Sequence, residues 1–134
     1  MTEVEIREAL HNHLSNEMFP CVAAKAALAK GQLEVFVADH MACPKDDRAI
    51  LEFIYNFTDK FRESDKTFQS AAVVFRQPDV YDEQLYARFF WSRLQALADL
   101  DAAQYHYDAR VSPDVHSENF SFSLKEEAYF IVGL

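Results

Sequence analysis

The chain has 134 residues, half of them apolar and 14% aromatic, and a formal charge of −9 from 13 basic and 22 acidic residues. That is the length of one domain, here read as residues 1–134, with ample material for a core, so global disorder is excluded. An acidic surface without a basic stripe argues against nucleic acid and anionic membranes as partners and favours a small cationic ligand. No apolar run approaches the ~20 residues of a membrane span, and the acidic start "MTEVEIREAL" lacks the pattern of a secretory signal, so the expected location is the cytoplasm.

In chain order, residues 2–16 read as a helix with Ile6, Leu10 and Leu14 on one face, Thr2 as its N-cap and Glu5 at the capping-box spacing. Pro20 suits the first turn of a short second helix that Gly31 stops. "LEVFVAD" (33–39) reads as a strand with Leu33, Val35 and Val37 on one face. From about Asp46 to Arg62, Ile50, Ile54, Phe57 and Phe61 mark a helix buried along one stripe. "FQSAAVVF" (68–75) reads as a strand covered on both faces, and 82–99 as a long helix with Tyr86, Phe90, Leu94 and Leu97 inward and Trp91 beside them. "FSFSL" (120–124) alternates strictly, "KEE" turns the chain without the usual Gly or Asn, and "AYFIVGL" (128–134) returns as an antiparallel partner. The order is α-α-β-α-β-α-β-β: an α/β (α+β) fold with a mixed sheet flanked by helices. An apolar face around Phe130, Val132 and Leu134 is expected to be exposed, which makes a homo-oligomer possible.

Few residues are placed to do chemistry. "FPCVAAKAAL" (19–28) sets Cys21 in the first turn of a helix and Lys25 one turn on, and both the helix terminus and the ammonium lower a thiol pKa. The plainer reading makes Cys21 a small buried residue and Lys25 a solvated one. His11 and His13 are two apart and point differently, and no zinc spacing occurs. His106, in "YHYD", suits a pocket wall or a metal-ligating role, and His40 follows a strand beside Asp39; a surface or satisfied core role is the alternative for each. His116 reads as solvated. With two glycines, no phosphate loop can form, and no GxSxG elbow is present. "VSPD" (111–114) is a turn with a carboxylate, fit to grip a cation or to be a plain loop.

The pieces "FPCVAAKAAL", "VVFR" (73–76), "WSRLQALADLD" (91–101), "VSPD", "FSFSL" and "AYFIVGL" occur in an order that resembles the YqcI/YcgG family, from about Met18 to the C-terminus. Characterised relatives are haem-dependent oxygenases that N-hydroxylate guanidino compounds such as arginine. Family members continue with an Arg-rich stretch and a segment resembling F-N-x-H-x-Q-F, whose histidine is an attractive axial ligand. The resemblance thus implies that these residues form the N-terminal portion of a longer domain. It also implies a haem pocket with Cys21, Lys25, His106 and His40 as candidate contacts, His106 as the candidate metal ligand, and Lys25 facing a haem propionate or substrate carboxylate. Asp114 and Asp108 become the candidates for holding a substrate guanidinium by bidentate hydrogen bonds. The rival readings are a cofactor-free ligand-binding or interaction domain and thiol redox work at Cys21, which lacks a resolving partner nearby in sequence.

Overall fold

In the computed structural model, which describes residues 1–16, 22–67, 69–79 and 82–134, the first helix begins where its cap requires. Thr2 Oγ1 accepts the Glu5 amide at 3.2 Å, satisfying a donor orphaned at the helix start, and α1 spans Glu3–Ser15 with Ile6 and Leu14 buried. The second helix, α2, spans Val22–Ala29. Pro20 and Cys21, expected in its first turn, lie outside the described residues. Its end is a Schellman motif: the Gln32 amide donates to Ala27 O at 2.7 Å and the Gly31 amide to Leu28 O at 3.1 Å. Gly31 takes the left-handed φ of +66° that this motif needs.

Strand β1 (Leu33–His40) then pairs in parallel with β2 (Ser70–Gln77), Val35 opposite Ala72 and Val37 opposite Val74. A parallel pair needs a crossover, and the 3₁₀ turn Pro44–Asp46 followed by helix α3 (Asp47–Glu63) supplies it. Strand parity divides the packing. Phe36 and Ala38 of β1 and Val73 and Phe75 of β2 face the core that α3 fills with Ile50 and Leu51. Leu33 and Val35 face the other way, onto Leu10 of α1 and Leu28 of α2. The pair thus carries helices on both faces, which is why neither strand alternates cleanly between apolar and polar. Within the described residues β2 pairs with β1 alone, so its second edge is not a ladder.

Helix α4 (Glu83–Ala102) starts at Asp82, whose side chain accepts the Leu85 amide at 2.9 Å, and buries Leu97 against α3. The chain ends in the antiparallel hairpin β3 (Phe122–Leu124) and β4 (Glu127–Tyr129), with Leu124 in the core. The element order and the α+β class are those expected; the parallel and antiparallel pairings fall in two separate two-stranded sheets. Both hairpin strands are shorter than the 120–124 and 128–134 expected from the sequence. Beyond Tyr129, residues 130–134 pair with no strand among the described residues, and Gly133 instead lies close against Tyr86 and Phe90 of α4.

Nothing lies within 4 Å of the position a Cβ would take at Gly31, so a substitution there tests backbone strain alone. Gly31→Ala is expected to lower stability by about 1 kcal/mol, read as a lower urea midpoint at unchanged slope. An unchanged midpoint would show that the α2 stop does not depend on the left-handed residue.

Candidate functional site

Ligands of open α/β sheets collect at the carboxyl ends of parallel strands, so the end of β1 is the first place to look. His40 stands there, half-buried, its Nδ1 accepting the Ala42 amide at 3.0 Å and its ring edge-on to Phe89 of α4 at 6.0 Å between centroids. The space beside it is filled from within. Arg93 reaches across from α4, donating from Nη1 to Met41 O at 3.1 Å and setting Nε 3.1 Å from Asp47 Oδ1. Asp47 and Arg93 are 4% and 9% exposed. The Nε and Oδ1 atoms face each other without hydrogen-bond alignment and have no other hydrogen-bond partner, so charge attraction joins them. Burial pushes the Asp47 carboxyl up, and Arg93 opposes that.

A denser polar centre lies where the hairpin docks on α3 and α4. Asp101, 3% exposed, accepts at Oδ1 from the Tyr55 hydroxyl at 2.5 Å and from the Lys125 amide at 2.9 Å. Lys125 Nζ pairs with Asp59 at 2.7 Å and stands 5.5 and 5.8 Å from the ring centroids of Tyr55 and Tyr105. On the far side of the hairpin, Asp108, 4% exposed, is gripped by Arg110 through Nε at 2.9 Å and Nη2 at 2.6 Å, and accepts the Ala128 amide at 2.9 Å. Arg110's side-chain and backbone hydrogen bonds hold the Asp108 carboxyl well below the usual carboxylate range. Glu127 joins this centre, pairing with Arg110 at 2.8 Å and Arg62 at 3.3 Å.

The residues expected from the sequence are scattered across this frame. Asp108 does bind a guanidinium, but it is Arg110's own, so the carboxylate is already filled. Asp114 is exposed in its turn, with Oδ1 accepting the His116 amide at 2.9 Å. His106 is exposed beside the Asp108 loop, and Lys25 is half-buried on α2. Cys21 lies outside the described residues, and the pairing proposed for it with Lys25 lies there too. Among the described residues no three His, Cys, Asp or Glu side chains form a group that could hold a metal ion. A groove of about 180 Å³ between α1, α2 and β1 is lined by Arg7, His11 and apolar neighbours, and contains none of the expected residues.

His40 and His106, as placed, do not fit a haem iron. His40 accepts an N–H at Nδ1, which puts the neutral ring's proton on Nε2, the atom that would have to ligate. His106 is exposed on the surface rather than buried as a haem ligand would be.

Three charges that organise this region went unseen in the sequence: Asp47, Arg93 and Asp101. A signal existed. Asp47 lies three residues before Ile50 on the buried stripe of α3, and Arg93 and Asp101 lie four either side of Leu97 on α4, so each charge sits in register with the apolar spacing.

Arg93→Met should cost about 3–5 kcal/mol, because it leaves the Asp47 charge buried without a partner. Asp47→Leu added to it should recover most of that loss in urea unfolding. Burial raises Asp47 above its ordinary 3.8, so the single variant should lose stability as pH rises through the folded-state value, and the double variant should not. Equal losses in both variants would mean that the pair's packing, rather than its charge, is what counts.

No curated protein and no solved structure gives a significant match to the chain. The family model described as the YqcI/YcgG family matches residues 10–134, which takes in every helix and strand from the end of α1 onward. The chain belongs to the YqcI/YcgG family.

Proposed function

We propose that this chain is part of a haem-dependent oxygenase that N-hydroxylates a guanidino compound or a related small nitrogenous substrate. The observation that carries the reading is family membership over residues 10–134. A bound haem would supply the oxygen and redox chemistry. This chain's residues contribute a rigid α+β frame and carboxylates for a cation, in keeping with a net charge of −9. Asp114 keeps one carboxylate oxygen that no described group engages, so it is the better placed of the two expected carboxylates; at Asp108 a substrate would have to displace Arg110. Because His40 and His106 are not set up as axial ligands, the reading assigns that role to the family's F-N-x-H-x-Q-F histidine, with Cys21 the remaining candidate in this chain. A cytoplasmic location and a small cationic substrate belong to the same reading.

A second reading, a cofactor-free ligand-binding or interaction domain, is favoured by one observation. Phe130 is 88% exposed and Leu134 57%, with Trp91 at 52% on α4. Phe130 and Leu134 belong to one short segment in which Ile131 and Val132 are exposed as well, and contiguous exposed apolar side chains mark contact faces.

The test is haem retention and turnover. The chain joined to the family's F-N-x-H-x-Q-F segment and expressed with haem precursor should keep a Soret band through desalting. With arginine, oxygen and a reductant it should give a product one oxygen atom heavier. A colourless protein, or a haem-loaded one that modifies none of a panel of guanidines, overturns the oxygenase reading. Residues 1–134 alone should not retain haem, and tight uptake by them would return His40, His106 and Cys21 to candidacy.

A further inference from the structure

We propose that Tyr55, Tyr105 and Asp59 form a binding site for an organic cation, which Lys125 occupies as a tethered stand-in, with Asp101 positioning Tyr55. The two tyrosine rings meet edge to face, 5.2 Å apart at 83°, so both present π surface to one point. The Lys125 ammonium stands at that point, 5.5 Å from one centroid and 5.8 Å from the other. Both oxygens of Asp59 close on it, at 2.7 and 2.9 Å. The Asp101 carboxylate contacts the Lys125 amide rather than its ammonium, and it accepts the Tyr55 hydroxyl, which fixes that ring. Two ring faces and one carboxylate around one ammonium are the elements of an aromatic cage for cations.

Two observations set Lys125 apart from an ordinary surface lysine. Its side chain is only 19% exposed, although a lysine at a hairpin tip is free to extend into water and keep its rotamer entropy. It also occupies a backbone position with φ of +53°, where Gly or Asn fits without strain. The turn itself is held by main-chain contacts: the Lys125 amide bonds Asp101 at 2.9 Å, and Arg62 Nη2 donates to the Lys125 carbonyl at 2.5 Å. The ammonium can therefore leave the cage while the hairpin stays in place. Asp59 is 51% exposed, which opens the cage to solvent on that side. Ring faces accept ammonium and guanidinium alike, so the ligand class is an alkylammonium or alkylguanidinium. Only the identification of that cation with the enzyme's substrate rests on the proposed function.

Lys125→Gly empties the cage and suits the positive φ, so the variant keeps its turn. Ring-proton NMR of Tyr55 and Tyr105 is followed while n-butylammonium, which is the missing side chain as a free molecule, is titrated in. The shifts should saturate in Lys125→Gly, and n-butanol at equal concentration should leave them unmoved. The parent chain should need about tenfold more ligand, since its tethered ammonium competes at an effective concentration on the order of millimolar. Adding Tyr105→Leu should abolish saturation. Unsaturated shifts in Lys125→Gly, equal shifts with n-butanol, or saturation that survives Tyr105→Leu would overturn the site. Methylguanidinium against methylurea separates the two claims: failure of methylguanidinium alone removes the link to a guanidino substrate and leaves the cation site standing. Binding needs no haem and no turnover, so an inactive protein that binds methylguanidinium contradicts the oxygenase reading only.

Discussion

Asp101 lies at the C-terminal end of α4 with one carboxylate oxygen accepting both the Tyr55 hydroxyl of α3 and the Lys125 amide of the hairpin turn. Its own carbonyl accepts the Gln104 and Tyr105 amides at 2.9 and 2.8 Å, closing the helix. A buried carboxylate at this end of a helix is opposed both by desolvation and by the helix dipole. It is held because its hydrogen bonds join α4 to both α3 and the hairpin turn. Burial and the Asp101 hydrogen bond together push the Tyr55 phenol well above its ordinary value, so Tyr55 remains a donor across the physiological range.

The hairpin depends on this contact. Lys125 and Glu126 both take positive φ, 53° and 61°, which suits the turn geometry and not the residues. An isolated Lys-Glu hairpin of three-residue strands would not persist in water. Here Leu124 enters the core, Ser123 Oγ accepts the Asp108 amide at 2.9 Å from the opposite face, and Asp101 and Arg62 fix the turn's backbone. Strain at Lys125 and Glu126 is thus borne by tertiary contacts, and its consequence is an ammonium delivered to a point between two tyrosines.

Where apolar spacing is regular, the sequence is a good guide. Thr2, Gly31, the Ile50–Ile54–Phe57 stripe and the final hairpin can all be read directly, because caps, stops and periodicity act locally. The polar interior could not be read the same way. Asp47 and Arg93 are 46 positions apart by their numbering, as are Tyr55 and Asp101, and no local rule pairs them. Asp108 is an instructive case. Asp108 had the right chemistry for a guanidinium, yet Arg110 lies two residues away and takes it with no loop-closure cost to speak of. The C-terminal strand ends early for a different reason: an apolar run forms a strand only where a partner strand exists, and Gly133 packs on α4 instead.

Family membership and the cation cage meet at one claim about the frame: the docked hairpin is a fixed platform, and Asp101 is its pin. Amide hydrogen exchange at Lys125 tests that claim most directly. In a two-residue hairpin loop this amide has no partner within the hairpin and exchanges freely. With Asp101 accepting it at 2.9 Å, the account predicts protection comparable to the buried amides of α3. Exchange at the rate of an unstructured amide, in a protein whose α3 amides remain protected, would contradict it.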